Sequence, residues 1–299
     1  MKFVTFLVDN EKKLGMFNRD MTKVVNINNL NLYRTYDDMM DLIKNSSRHD
    51  LKLLKKVYDE EDCIRENGYY TDDIKICTPI ETLESDILCL GLNYREHVEE
   101  TARSFKDDSI DIPDYPVYFS KRAVSPIGQG DNIDSHIEVT EQLDYEVELA
   151  VIIGKDGINI SKEDAEEHIF GYTIMNDVSA RDVQQRHVQW YRGKSLDTFT
   201  SLGPCIVHKS ELKFPVELNL CSKVNGELRQ NSNTKNFIFD IPTIIHDISQ
   251  GMTLRAGDII ATGTPSGVGM GFKPPKFLKK DDVVQCEVEN IGVLENKIV

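Results

Sequence analysis

Glu146 and Glu148 lie two apart in the run Leu143-Asp-Tyr-Glu-Val-Glu-Leu-Ala-Val-Ile-Ile-Gly154. Alternation of Tyr145, Val147, Leu149, Val151 and Ile153 with the other set predicts a strand. Side chains at i and i+2 share a face, so the two carboxylates point the same way, about 7 Å apart. Like charges at that distance repel by roughly 2 kcal/mol at an effective dielectric near 20, before desolvation is counted. A bound cation reverses the sign of that interaction. A strand whose first half lies at a solvated sheet edge is equally consistent with the pattern. A third carboxylate, Asp177, follows the apolar run Phe170-Gly-Tyr-Thr-Ile-Met-Asn176, where a strand gives way to a loop. Read alone it suits a turn or a helix cap; with the two glutamates it completes an all-oxygen set. Such a set suits Mg²⁺ or Mn²⁺ better than zinc, and three protein ligands leave octahedral positions for water or substrate.

His97 and Glu100 stand three apart after the segment Cys89-Leu-Gly-Leu-Asn93, in which a strand ends at Gly91 and Asn93 is placed to cap a helix. Three-residue spacing puts them on one helix face. A carboxylate beside an imidazole fixes its tautomer and makes it a base near neutral pH; a solvated acidic face bearing a surface histidine explains the residues as well. Gly193-Lys194-Ser195 lacks the phosphate-loop glycine, since Val188 occupies its place. Lys194 in this Gly/Ser/Thr-rich stretch is instead a candidate for stabilising a developing oxyanion. The run Gly257-Asp-Ile-Ile-Ala-Thr-Gly-Thr-Pro-Ser-Gly-Val-Gly269 has the wrong spacing for a dinucleotide site. Its exposed backbone N–H groups suit a carboxylate.

The elements that must position these groups are mostly strands. Ile87–Gly91, Tyr145–Gly154, Phe170–Met175, Val216–Val224, Asp258–Thr262 and Val283–Glu289 carry β-branched or alternating patterns, and Asn225-Gly226 is a two-residue hairpin signal. Helices are predicted from Ser161, with Asp164 completing a capping box, and from Pro242 to a C′ glycine at Gly251. Residues 1–77 read as a small α/β unit, with strands at Lys2–Val8 and Leu14–Phe17 and helical periodicity over 37–58. Thr78-Pro79-Ile80 is the predicted join to a mostly β domain at 78–299.

The 299 residues carry a net charge of -15, which argues against nucleic acid as a partner. No apolar run approaches a membrane span, and Met1–Val8 is too short for a signal-peptide core, so the expected location is the cytoplasm. The six cysteines are scattered without zinc-ligand spacing, which predicts reduced thiols.

Five segments in order resemble the fumarylacetoacetate hydrolase family: Gly91-Leu-Asn-Tyr-Arg-Glu-His97, Leu143-Asp-Tyr-Glu-Val-Glu-Leu149, Asn176-Asp-Val-Ser-Ala-Arg-Asp-Val-Gln184, Gly193-Lys-Ser-Leu-Asp-Thr-Phe199 and Thr262-Gly-Thr-Pro-Ser-Gly-Val-Gly269. The resemblance covers residues 80–295 and is closest to the smaller bacterial acylpyruvases, oxaloacetate decarboxylases and hydroxymuconate-type isomerases. It implies a mixed β-sandwich roll, a homodimer, and Mg²⁺ or Mn²⁺ on Glu146, Glu148 and Asp177. It also implies a lid helix bearing the His97–Glu100 pair, with Arg181, Gln184, Lys194 and Thr264 contacting a 2-oxo acid substrate. The implied chemistry passes through a metal-stabilised enolate. It ends in C–C hydrolysis or oxaloacetate decarboxylation, or alternatively in isomerisation or sugar-acid dehydration; a non-catalytic scaffold is the rival from another class.

Overall fold

The computed structural model describes residues 1–107 and 109–299. The architecture is mostly β, built on an eleven-stranded mixed sheet. Its central strands are Thr200–His208, Ile169–Asp177, Val147–Ile153, Ile259–Ala261 and Ile87–Gly91, with Val117–Lys121 at one edge. All neighbours on this stretch are antiparallel except Ile259–Ala261 with Ile87–Gly91. The amino-terminal strand Lys2–Val8 joins the same sheet, pairing Lys2 with Val207 and Phe3 with Ile206. Strands from residues 1–77 thus continue the sheet that carries Glu148 and Asp177.

Period-two patterning gives that sheet two cores. Val147, Leu149, Val151 and Ile153 face a five-stranded sheet whose Leu220, Val284, Cys286, Val288 and Leu294 close the sandwich. Ala150 and Ile152 face the other way, with Met175, Leu202 and Ile206, onto Leu42, Leu54 and Tyr58 of the amino-terminal helices. Burial of both faces explains why the second half of this strand is apolar throughout.

Four sequence expectations are corrected. The run 143–154 is not one strand: Leu143–Asp144 pairs with Ser179–Ala180, and Val147–Ile153 is separate. The break arises because the N–H groups of Glu146 and Val147 donate to the side chains of Asn176 and Gln230 rather than to a ladder. Asn93 does not cap the Arg95–Phe105 helix; its amide bonds to Phe239 and to the Thr262 carbonyl, tying three segments together. The periodicity over 37–58 resolves into Met39–Asn45 and Arg48–Glu60, divided where Ser47 caps Asp50. The Ser161–Asp164 contact forms, but only a short helix, Ala165–His168, follows it. The hairpin at Asn225-Gly226 has the expected pair of left-handed residues, at φ 50° and 80°. Among the described residues no helix is long and apolar enough to cross a membrane, and the six cysteines are free.

Candidate metal centre and active site

Cross-strand register assembles the acidic cluster. Glu148 stands opposite Met175, and Asp177 lies two residues further along the same face of the partner strand. The Asp177 N–H donates to the Glu146 carbonyl at 2.9 Å, locking those two residues across from each other. One oxygen from each of Glu146, Glu148 and Asp177 falls within 4.8 Å of the others, and all three residues are buried. The solvated-edge alternative is therefore excluded.

Cations crowd two of the three carboxylates. Lys194 Nζ donates at 2.7 Å to both Glu146 Oε2 and Asp177 Oδ2. Lys121, at the end of the edge strand, donates to Asp177 Oδ1 at 2.6 Å. Arg181 Nη2 lies 2.7 Å from Glu146 Oε1, close but off the axis of a hydrogen bond. Burial alone would raise the Glu146 carboxyl, yet Lys194 and Arg181 outweigh it and hold the group at about 2. Lys194, despite a burial penalty, is raised above its ordinary value by Asp177 and Glu146 and stays an ammonium.

Glu148 is the exception. Burial, then the charges of Asp177 and Glu146, push its carboxyl well above the usual range. Among the described residues its side chain receives only the Gly263 N–H, at 2.8 Å, and no ion pair. Asp144, Glu146 and Asp177 are each paired with Lys121, Lys194 or Arg181, so Glu148 is the one carboxyl of the cluster without a cation among the described residues. A hard divalent ion held by Glu146, Glu148 and Asp177 would favour the ionised form of Glu148, so the all-oxygen donor set fits such a group.

Gly193 is what lets Lys194 reach in. A Cβ there would sit 2.6 Å from the Gln184 backbone nitrogen, so only glycine allows the two short helices to pack. Arg181 is oriented by Asp144, which accepts from its Nε at 2.8 Å, while its Nη1 donates to Gln184 Oε1 at 3.0 Å.

The Arg95–Phe105 helix covers the cluster. His97 Nδ1 lies 3.1 Å from Glu100 Oε2, and Glu100 Oε1 accepts the Gly267 N–H at 2.9 Å. A carboxylate at Nδ1 keeps the proton there and leaves Nε2 as the basic nitrogen. Both residues are buried, which removes the surface-face alternative. The glycine-rich turn does hold carboxylates, but they are the protein's own: Gly263 binds Glu148, Gly267 binds Glu100, and Gly269 with Met270 binds Asp144.

His97, Glu146, Arg181, Gln184, Lys194 and Thr264 line one cavity of about 20 Å³, walled otherwise by Leu90, Phe119, Trp190 and Met270. Thr264 is there, yet its hydroxyl is already engaged, donating to the Val147 carbonyl and accepting from Gln230. Lys121 and Asp144 were not found from sequence. Their partners lie 56 and 37 residues away, a pairing that no local spacing reveals.

Residues 86–299 match the signature described as Fumarylacetoacetate (FAA) hydrolase C-terminal. The chain belongs to the fumarylacetoacetate hydrolase family. It is 52% identical over 230 residues to "Oxaloacetate tautomerase YisK" of Bacillus subtilis (strain 168), covering 77% of this chain and 75% of that protein. Fumarylacetoacetate hydrolase from psychrophilic Exiguobacterium antarcticum superposes with a TM-score of 0.82 at 36% identity, over 100% of this chain and 99% of that one. Maleylpyruvate hydrolase from Sphingobium sp. SYK-6, solved with manganese(II) and pyruvate, superposes at 0.76 with 25% identity, over 100% and 99% respectively. This family's fold is therefore present here, and the relatives named are enzymes.

Proposed function

We propose that the protein is a divalent-metal-dependent enzyme that interconverts the enol and keto forms of oxaloacetate. The observation that carries the reading is a carboxylate-buttressed histidine closed over a buried acidic triad in one cavity. The choice among reactions of a 2-oxo acid is supported by the tautomerase at 52% identity. A Mg²⁺ or Mn²⁺ ion held by Glu146, Glu148 and Asp177 would supply Lewis-acid polarisation of the substrate's 2-oxo end.

The chain's own residues then account for the proton. His97, with Nδ1–H directed at Glu100, presents Nε2 to C3 of the substrate. Removal of a C3 proton by Nε2 leaves negative charge on the C2 oxygen, and delivery of that same proton from Nε2–H to the oxygen completes the enol and returns His97 to its neutral form. The reverse path returns the proton to C3. Lys194, kept charged by Glu146 and Asp177, adds positive potential where that oxygen charge builds. Arg181 and Gln184 orient a carboxylate. The residual cavity has room for about one water, so substrate entry requires the covering helix to lift, and its return excludes bulk solvent.

Cleavage of a C–C bond is the second reading, supported by the hydrolase neighbour solved with manganese and pyruvate. It shares the same charge development at C2 but needs a water that His97 activates. The two readings separate in one experiment. Decay of enol-oxaloacetate absorbance is followed with and without Mn²⁺, alongside pyruvate release from oxaloacetate and from acetylpyruvate. Metal-dependent enol decay without pyruvate release is expected. Pyruvate release from acetylpyruvate, with no acceleration of enol decay, would overturn the tautomerase reading in favour of hydrolysis.

A further inference from the structure

The covering helix presents a second polar group to the cavity. Thr101 follows His97 by four residues, one turn along the same face, and lines the same space. It is 4% exposed, and its hydroxyl has no hydrogen-bond partner among the described residues. In a helix interior a threonine hydroxyl ordinarily bonds back to the carbonyl four residues earlier, here that of His97. That bond is not made. A buried hydroxyl without a partner costs stability unless something else satisfies it. The same cavity is lined by Arg181, whose guanidinium is ion-paired with Glu146 and Asp144 and brings positive charge to its wall. A buried hydroxyl without a partner among the described residues thus borders a cavity that also holds a guanidinium. A carboxylate suits such a pair, accepting from the hydroxyl and meeting the guanidinium's charge.

We propose that Thr101 is a substrate contact that selects four-carbon 2-oxo dicarboxylic acids, its hydroxyl donating to the carboxylate distal to the 2-oxo group. The assignment rests on the tautomerase reading, because it uses the same pose. The 2-oxo end lies on the acidic floor, His97 Nε2 addresses C3, and the next group along the substrate is the carboxylate on C3. One helical turn, roughly 6 Å, separates the His97 and Thr101 positions, which suits a base at C3 and a donor at the group attached to it. Arg181 supplies the positive charge that a neutral hydroxyl lacks. Thr101 supplies direction, and discriminates against pyruvate-like acids that end in a methyl group.

The test compares wild type, Thr101→Val and Thr101→Ser, using enol-oxaloacetate as substrate and pyruvate as a competitive inhibitor without the distal carboxylate. Valine keeps the shape and removes the donor. The expected result for Thr101→Val is a KM for oxaloacetate raised about tenfold, with kcat and the pyruvate inhibition constant within about twofold of wild type. Thr101→Ser restores KM. An unchanged KM in Thr101→Val overturns the inference, and so does a parallel rise in KM and in the pyruvate constant, which would assign Thr101 to seating the helix. A wild-type protein that does not process oxaloacetate overturns the functional reading as well, whereas wild-type turnover with an indifferent Thr101→Val overturns this inference alone.

Discussion

On the sheet side of the cavity, Glu146 and Asp177 are held by Lys194, Lys121 and Arg181, all on elements that sheet pairing or short-range packing fixes. On the helix side, His97 is steadied by Glu100, and Glu100 by the single Gly267 N–H. The floor carries redundant charge contacts and one carboxyl, Glu148, whose ionisation burial and its acidic neighbours disfavour; the roof leaves the Thr101 hydroxyl without a partner among the described residues. The contrast teaches that two tasks are separated. On the proposed function, cation binding would be built into strand register, while proton transfer and substrate selection would sit on a helix that lifts to admit substrate.

The strongest way to break this division is at the floor. Glu148→Gln should lower the enol-to-keto rate by roughly a thousandfold or more, and calorimetry should show loss of Mn²⁺ binding. At the roof, His97→Asn should cost roughly 10²–10⁴ in rate, with Mn²⁺ affinity kept. Lys121→Met sharpens the floor itself. It leaves buried Asp177 short of a partner and should destabilise the metal-free protein by roughly 3–5 kcal/mol. Chemical denaturation measures this, and added Mn²⁺ should recover more stability there than in wild type. The smallest expected effect comes from the seat of the roof. A Cβ at Gly271 would overlap the Glu100 carboxylate. Gly271→Ala should therefore lower kcat/KM by roughly 10- to 100-fold, with the denaturation midpoint nearly unchanged.

The same contrast explains what could be read from sequence. Glu146 and Glu148 were legible because period-two spacing in an apolar run leaves few meanings, and His97 with Glu100 because helical spacing is equally local. The mostly β character and the Asn225-Gly226 hairpin were legible for the same reason, whereas the sandwich came only from the family resemblance. The break at Tyr145–Glu146 was not, since it depends on side chains of Asn176 and Gln230 intercepting backbone N–H groups. Asn93 looked like a cap because the capping preference is local, whereas its real partners are 146 and 169 residues away. Lys121 and Asp144 were missed on similar grounds. The fate of the glycine-rich turn was half legible: carboxylate binding by its N–H groups was expected, but that the carboxylates are Glu100, Asp144 and Glu148 is a property of the folded chain.

The separation of floor and roof is tested most directly by measuring Mn²⁺ affinity and enol-oxaloacetate turnover on the same preparations of wild type, Glu148→Gln and His97→Asn. The account predicts that Glu148→Gln loses both, and that His97→Asn loses turnover while binding Mn²⁺ within about twofold of wild type. Retention of Mn²⁺ binding by Glu148→Gln, or a His97→Asn protein whose metal affinity falls in step with its rate, would contradict it.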